Sequence, residues 1–135
     1  MKPRGLRNNN PGNIRNSDAT DWKGEVNPSD KKDHTFEEFQ TMAHGYRALI
    51  KLLQNYRKYH GCRTIRDFIR RWAPRTENNT SAYILTVCRQ MKVKPDYVPD
   101  VNDKETMCAF ASAISLVENG VGAVSSEVEA GWKML

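Results

Sequence analysis

MAHGYRALIKLLQNYRKYH, residues 42–60, decides the fold class. Tyr46, Leu49, Ile50, Leu53 and Tyr56 recur here at three- and four-residue steps, the spacing that lines one face of an α-helix. Gly61 follows, where a left-handed C-terminal cap belongs. A half-buried strand would alternate in twos instead.

Downstream the same logic repeats. Thr64 and Asp67 have the spacing of a capping box, and Ile65, Phe68, Ile69 and Trp72 form the buried face of a short helix that Pro74 ends. Asn79 or Thr80 opens a third helix carrying Tyr83, Ile84, Val87 and Met91. Residues 92–102 form a proline-containing loop. Asp103 caps a fourth helix, rich in Ala and apolar residues, that runs to Glu118 and stops at Asn119-Gly120. Ser125 or Ser126 starts a last helix with Val128, Trp132 and Leu135.

Upstream, residues 1–41 are polar and punctuated by Pro3, Gly5, Pro11, Gly12, Gly24 and Pro28. Trp22–Val26 and His34–Phe39 read as two short strands of a small, irregular N-terminal β-hairpin, although Phe36 and Phe39 do not alternate. The expected class is α+β, mainly α, in a single domain over residues 1–135.

A chain of 135 residues, 39% hydrophobic and 27% charged, can bury a sizeable core. No run approaches the roughly 20 apolar residues of a membrane span. The N-terminus lacks the apolar core of a signal peptide, so synthesis in a host cytoplasm is expected. The net charge of +5 suits a polyanionic partner or simple solubility. Cys62, Cys88 and Cys108 are far apart, and His34, His44 and His60 are scattered, so no disulfide framework, metal site or cofactor is expected. Arg63, Arg66 and Arg70 share a helix face, but no stacking pattern or nucleic-acid motif accompanies them, and a solvated basic face is expected.

Glu118 is the foremost candidate for chemistry. It ends the most apolar helix, beside Ala113, Ile114 and Val117. Desolvation and the negative helix terminus would both disfavour its charged form, as a general acid requires. It also reads as a solvated residue in the last turn before a glycine cap. Glu77 is second, in an interhelical loop followed by Asn78, Asn79 and Thr80; it also reads as part of a turn and N-cap. Asn carries donors and acceptors, as sugar recognition demands. Asn9, Asn10, Asn13 and Arg15, with Trp22 and Tyr83, make the candidate substrate-binding set. The Asn-rich run also reads as a flexible, turn-forming arm. Glu25, Glu37 and Glu38 could supply a second carboxylate.

Several patches together carry a family resemblance. They are Arg4-Gly5-Leu6-Arg7-Asn8-Asn9-Asn10-Pro11-Gly12-Asn13-Ile14-Arg15, Trp22-Lys23-Gly24, Phe36 and Phe39 before Gly45-Tyr46-Arg47-Ala48, Arg71-Trp72-Ala73-Pro74, Glu77-Asn78-Asn79-Thr80, and Glu118-Asn119-Gly120. In order and nearly throughout, the chain resembles a family of small bacteriophage virion structural proteins that look like lysozyme-type peptidoglycan hydrolases. The resemblance implies a lysozyme-like helical domain and cleavage of the glycan strand, by a muramidase or a lytic transglycosylase. It implies bacterial peptidoglycan as partner, reached at the wall or from a virion. Flagellar and autolysin-type glucosaminidases are similar in carrying an Asn-rich segment, then a Trp-x-Gly strand, after the helix with their catalytic Glu. Here that helix would be the one ending at Glu118, at the other end of the chain.

Two departures stand beside the proposed acid. Val117 replaces a His that the family tends to carry, and residues 121–125 lack its Pro-Tyr-Ser-Asp type of pattern. The alternative is therefore a non-catalytic virion or wall-binding protein, with other virion proteins as partners. Nucleic acid ranks below both.

Overall fold

A computed structural model describes residues 2–76 and 78–135. Among the described residues six α-helices run in order: α1 (Arg4–Arg7), α2 (Met42–His60), α3 (Ile65–Trp72), α4 (Thr80–Met91), α5 (Lys104–Asn119) and α6 (Ser125–Lys133). Local chemistry sets most boundaries. The Thr41 side chain accepts from His44 N–H to start α2, and Gly61, at φ 66°, ends it. Thr64 and Asp67 make the reciprocal capping box of α3. Asn79, not Thr80, caps α4; Thr80 is its first residue and donates to the Ala73 carbonyl at 2.6 Å. Asp103 and Gly120 bracket α5. Leu135 lies beyond the end of α6.

The apolar faces converge on one core. Tyr46, Leu49, Ile50 and Leu53 of α2 meet Phe68 and Ile69 of α3, Ile84 and Val87 of α4, Met107, Phe110 and Ile114 of α5 and Val128 of α6. Phe68 and Phe110 pack edge to face, with centroids 5.5 Å apart. A Cβ at Gly131 would lie 2.7 Å from Tyr46 Cβ and 2.8 Å from the Arg47 nitrogen, so glycine lets α6 lie close along α2. Among the described residues no helix is long and apolar enough to cross a membrane.

Among the described residues the expected N-terminal hairpin is not formed. Residues 13–40 make two isolated antiparallel bridges, Arg15 with Phe36 and Glu25 with Phe39. The segment around Phe36–Phe39 thus pairs at one end with residues 14–16 and at the other with 24–26, each time for a single step. Side chains take amides that a ladder would need. Asp33 Oδ1 accepts from the Thr35 and Phe36 N–H groups, and Glu38 Oε1 from those of Lys32 and Asp33. Phe36 and Phe39, three positions apart, cannot share one face of a strand.

Specific ties hold this segment to the helices instead. Ile14 and Phe39 pack on Ala48 of α2, with Trp22, Leu52 and Trp72 around them. Arg4 forks onto Asp33 at 2.6 and 2.8 Å, and Asn8 adds a third donor at 2.9 Å. The Arg4 guanidinium holds the Asp33 carboxyl well below the usual carboxylate range.

Candidate functional site

Glu118 lies in the last turn of α5, with its carboxyl between two donors from distant parts of the chain. Asn13 Nδ2 donates to Oε1 at 2.8 Å, and the Tyr83 hydroxyl donates to Oε2 at 2.8 Å. The surroundings are therefore not the bare apolar wall that the helix sequence implies. Asn13 reaches the site because its backbone is left-handed, at φ 50°, a conformation Asn tolerates better than most residues. Tyr83 stands behind the carboxylate, buried in the core. Burial first, then the negative charge of Glu118, pushes the Tyr83 phenol far above its ordinary value, so it stays a donor. The Trp72 indole acts on the same hydroxyl in the opposite sense.

The next residue clamps the loop. Asn119, buried, donates from Nδ2 to the Pro11 carbonyl at 3.0 Å and to the Ser115 carbonyl at 3.0 Å. Tyr46 donates to Ser115 Oγ at 3.0 Å and ties this network to α2. Among the described residues the oxygens Oδ1 of Asn13 and Asn119 have no hydrogen-bond partner. Both converge on Gly5, where an added Cβ would lie 3.0 and 2.5 Å from them. Gly5 thus admits the two amides that flank Glu118.

Glu118 and Asn13 open into a cleft of about 430 Å³. Its walls include Gly12, Ile14 and Arg15 from the N-terminal loop, Phe36, Tyr56 of α2, Arg71 and Trp72 of α3, Pro74 and Asn78. Arg15 lies over the Phe36 ring at 5.4 Å and Arg71 over the Tyr56 ring at 5.2 Å. Tyr56 and Trp72 meet edge to face at 6.1 Å. The cleft therefore combines aromatic surface, amides, two guanidinium groups and one carboxylate among its described residues.

The structure separates the other candidates. Asn10 is fully buried; its amide bonds the Ile14 N–H and the Ile14 and Glu37 carbonyls, which makes it a bolt of the loop. Asn9, at φ 52°, donates to the Phe39 carbonyl and lines a different cavity, beside Met42 and Tyr46. Trp22 packs on the Ile14–Phe39 cluster and is not a wall of the cleft. Glu77 lies outside the described residues. Glu25, Glu37 and Glu38 do not line the cleft; Glu37 is buried, with Lys31 Nζ at 3.5 Å.

Asn119 as a clamp and Tyr56 and Arg71 as walls are not marked by the sequence pattern. The available signal is the Arg71-Trp72-Ala73-Pro74 patch, which contains one of these walls. The Cys62, Cys88 and Cys108 thiols are pushed up by burial, against a nucleophilic role. Among the described residues no three His, Cys, Asp or Glu side chains gather as a metal site.

No family model matches the sequence. A curated phage protein does: protein P5 of Pseudoalteromonas phage PM2 is 41% identical over 119 residues, covering 87% of this chain and 71% of that protein.

Proposed function

The chain belongs to the family of protein P5 of Pseudoalteromonas phage PM2, and on that premise we propose that it is a phage-associated enzyme that cleaves the glycan strand of peptidoglycan. The observation that carries this reading is Glu118, set in an open cleft and gripped at both oxygens by Asn13 and Tyr83.

In this reading Glu118 is the general acid that protonates the departing glycosidic oxygen. Its proton-bearing form needs one oxygen to exchange its donor. The Tyr83 hydroxyl suits that exchange, because a hydroxyl can turn from donor to acceptor and an amide N–H cannot. Trp72 and Tyr56 offer faces on which sugar rings stack, and Asn13 and Asn78 offer amides to sugar hydroxyls. Arg15 belongs to the same binding surface. Positioned acid–base catalysis of this kind contributes about 10² to 10⁴ in rate.

We further propose a lysozyme-like fold, with the glycosidic carbon attacked by water or by the sugar's own hydroxyl. A second reading, a non-catalytic virion or wall-binding protein, is favoured by kinship to a phage protein and by Val117 where the resembling family tends to carry His. Zymography on purified walls decides between them. A clearing zone with reducing or anhydro-sugar products supports the enzyme, and the product masses separate the two modes of attack. Binding to walls without any product supports the second reading.

A further inference from the structure

We infer that Asn13 serves Glu118 in both of its protonation states by turning its amide end for end, with Asn119 Oδ1 receiving the Asn13 N–H while Glu118 carries the proton. The inference rests on the general-acid reading of Glu118 and names two positioning residues for it.

Two neighbouring amides each leave one oxygen over. Asn13 Nδ2 donates to Glu118 Oε1 at 2.8 Å, and Asn119 Nδ2 donates to the Pro11 and Ser115 carbonyls, each at 3.0 Å. Among the described residues both Oδ1 atoms are buried and have no hydrogen-bond partner. They face one spot. The position that an added Cβ on Gly5 would take lies 2.5 Å from Asn119 Oδ1, 2.8 Å from the Asn10 carbonyl oxygen and 3.0 Å from Asn13 Oδ1. Three acceptors thus converge where glycine offers only hydrogen. Buried acceptors without a donor are destabilising.

Half a turn of the Asn13 amide about its Cβ–Cγ bond satisfies both oxygens. The two ends of an amide are nearly equal in size, and this torsion is roughly two-fold. Nδ2 then sits among the acceptors beside Gly5 and donates to Asn119 Oδ1, while Asn13 Oδ1 faces Glu118 Oε1. Two oxygens that face each other need a proton between them, so this arrangement belongs to protonated Glu118. In the charged state the amide turns back and donates to Oε1. Asn119 does not turn in its place, because its Nδ2 is tied to two carbonyls.

Which oxygen carries the proton decides whether substrate can take it. Asn13 lines the cleft and Tyr83 lies in the core, so a proton on Oε2 stands toward the core and one on Oε1 toward the cleft. When the proton passes from Oε1 to the departing glycosidic oxygen, Glu118 is left as a carboxylate and the Asn13 N–H returns to it. The charged and titratable groups around Glu118 among the described residues are Arg15 and Arg71 of the cleft wall, His60 at 3.3 Å from Arg71 Nη2, and the Tyr83 phenol, which burial keeps protonated.

The test is NMR on the wild-type protein with isotope-labelled asparagine and glutamate. The Glu118 carboxyl resonance follows its own titration. Below the midpoint the Asn13 amide protons should show a strong Overhauser contact with the Gly5 α-protons, and above it that contact should be lost. An unchanged contact across the titration overturns the inference. A second measurement is the Glu118 midpoint in Asn13→Ala. It should stay near the wild-type value, because the substitution removes a partner of both states. A rise of about one pH unit or more would show an Asn13 that only donates to the carboxylate, and overturns the inference. Neither readout needs turnover. A switching amide in a protein that lyses no wall keeps the inference and removes glycan cleavage; lysis with a fixed amide does the reverse.

Discussion

The Tyr83 hydroxyl donates to Glu118 Oε2 at 2.8 Å from inside the core, so the carboxylate of α5 is aimed by a side chain of α4 that solvent barely reaches. A hydrogen bond to a charged group contributes about 1.5–3 kcal/mol. Tyr83→Phe keeps the ring and removes this bond. Turnover of wall glycan should fall by roughly 10- to 100-fold, while thermal stability changes by about 1 kcal/mol. Lysis rates beside melting curves check it. Unchanged turnover would mean that the hydroxyl does not position the carboxyl.

Asn13 separates side chain from backbone. At φ 50° it sits where glycine is comfortable and alanine pays about 1–2 kcal/mol. Asn13→Gly and Asn13→Ala should lose activity equally, because both lose the donor to Glu118. Their stabilities should differ, with the glycine variant nearer wild type. Equal urea midpoints would contradict the left-handed assignment.

Gly5 tests the convergence of the two amides. A Cβ there would lie 2.5 Å from Asn119 Oδ1 and 2.8 Å from the Asn10 carbonyl oxygen. Gly5→Ala should cost about 1–3 kcal/mol by overpacking and lower activity by displacing Asn119. Gly122→Ala, with no neighbour within 4 Å, is the control and should stay within about 0.5 kcal/mol. Urea unfolding of both variants reads the difference.

Much of this architecture is legible in the sequence. The five longer helices follow from apolar steps of three and four and from caps at Thr64, Asp103, Gly61 and Gly120, because those signals are local. The N-terminal segment is not legible in the same way. Its shape depends on side chains such as Asn10, Asp33 and Glu38 binding backbone groups that no periodicity marks. Glu118 could be singled out from its place at a helix end. Its donors could not be assigned, since Asn13 is 105 residues away. Tyr56 fits the core period of α2 and lines the cleft as well, so spacing alone assigns it only the first role.

Stability should carry the signature of Glu37. Burial first, then the charge and hydrogen bond of neighbouring Glu25, push its carboxyl above the ordinary value of 4.5, while Lys31 acts the other way. A folded value above the unfolded one gives stability that is fully present below the unfolded value and is lost as pH rises through the folded one. Between the ordinary Glu range and that raised value, the wild type should therefore lose stability with rising pH. Glu37→Gln, which does not titrate, should remove that component of the slope. Urea midpoints across the interval check it, and parallel wild-type and variant curves would contradict it.

In the proposed reaction Glu118 delivers the proton to the glycosidic oxygen. The most direct test of that role is the initial rate of lysis of purified walls by wild type and by Glu118→Gln, which keeps shape and hydrogen bonding but cannot act as the acid. The rate should fall by about 10² to 10⁴ with the melting temperature nearly unchanged. Lysis by the variant at the wild-type rate would contradict that role.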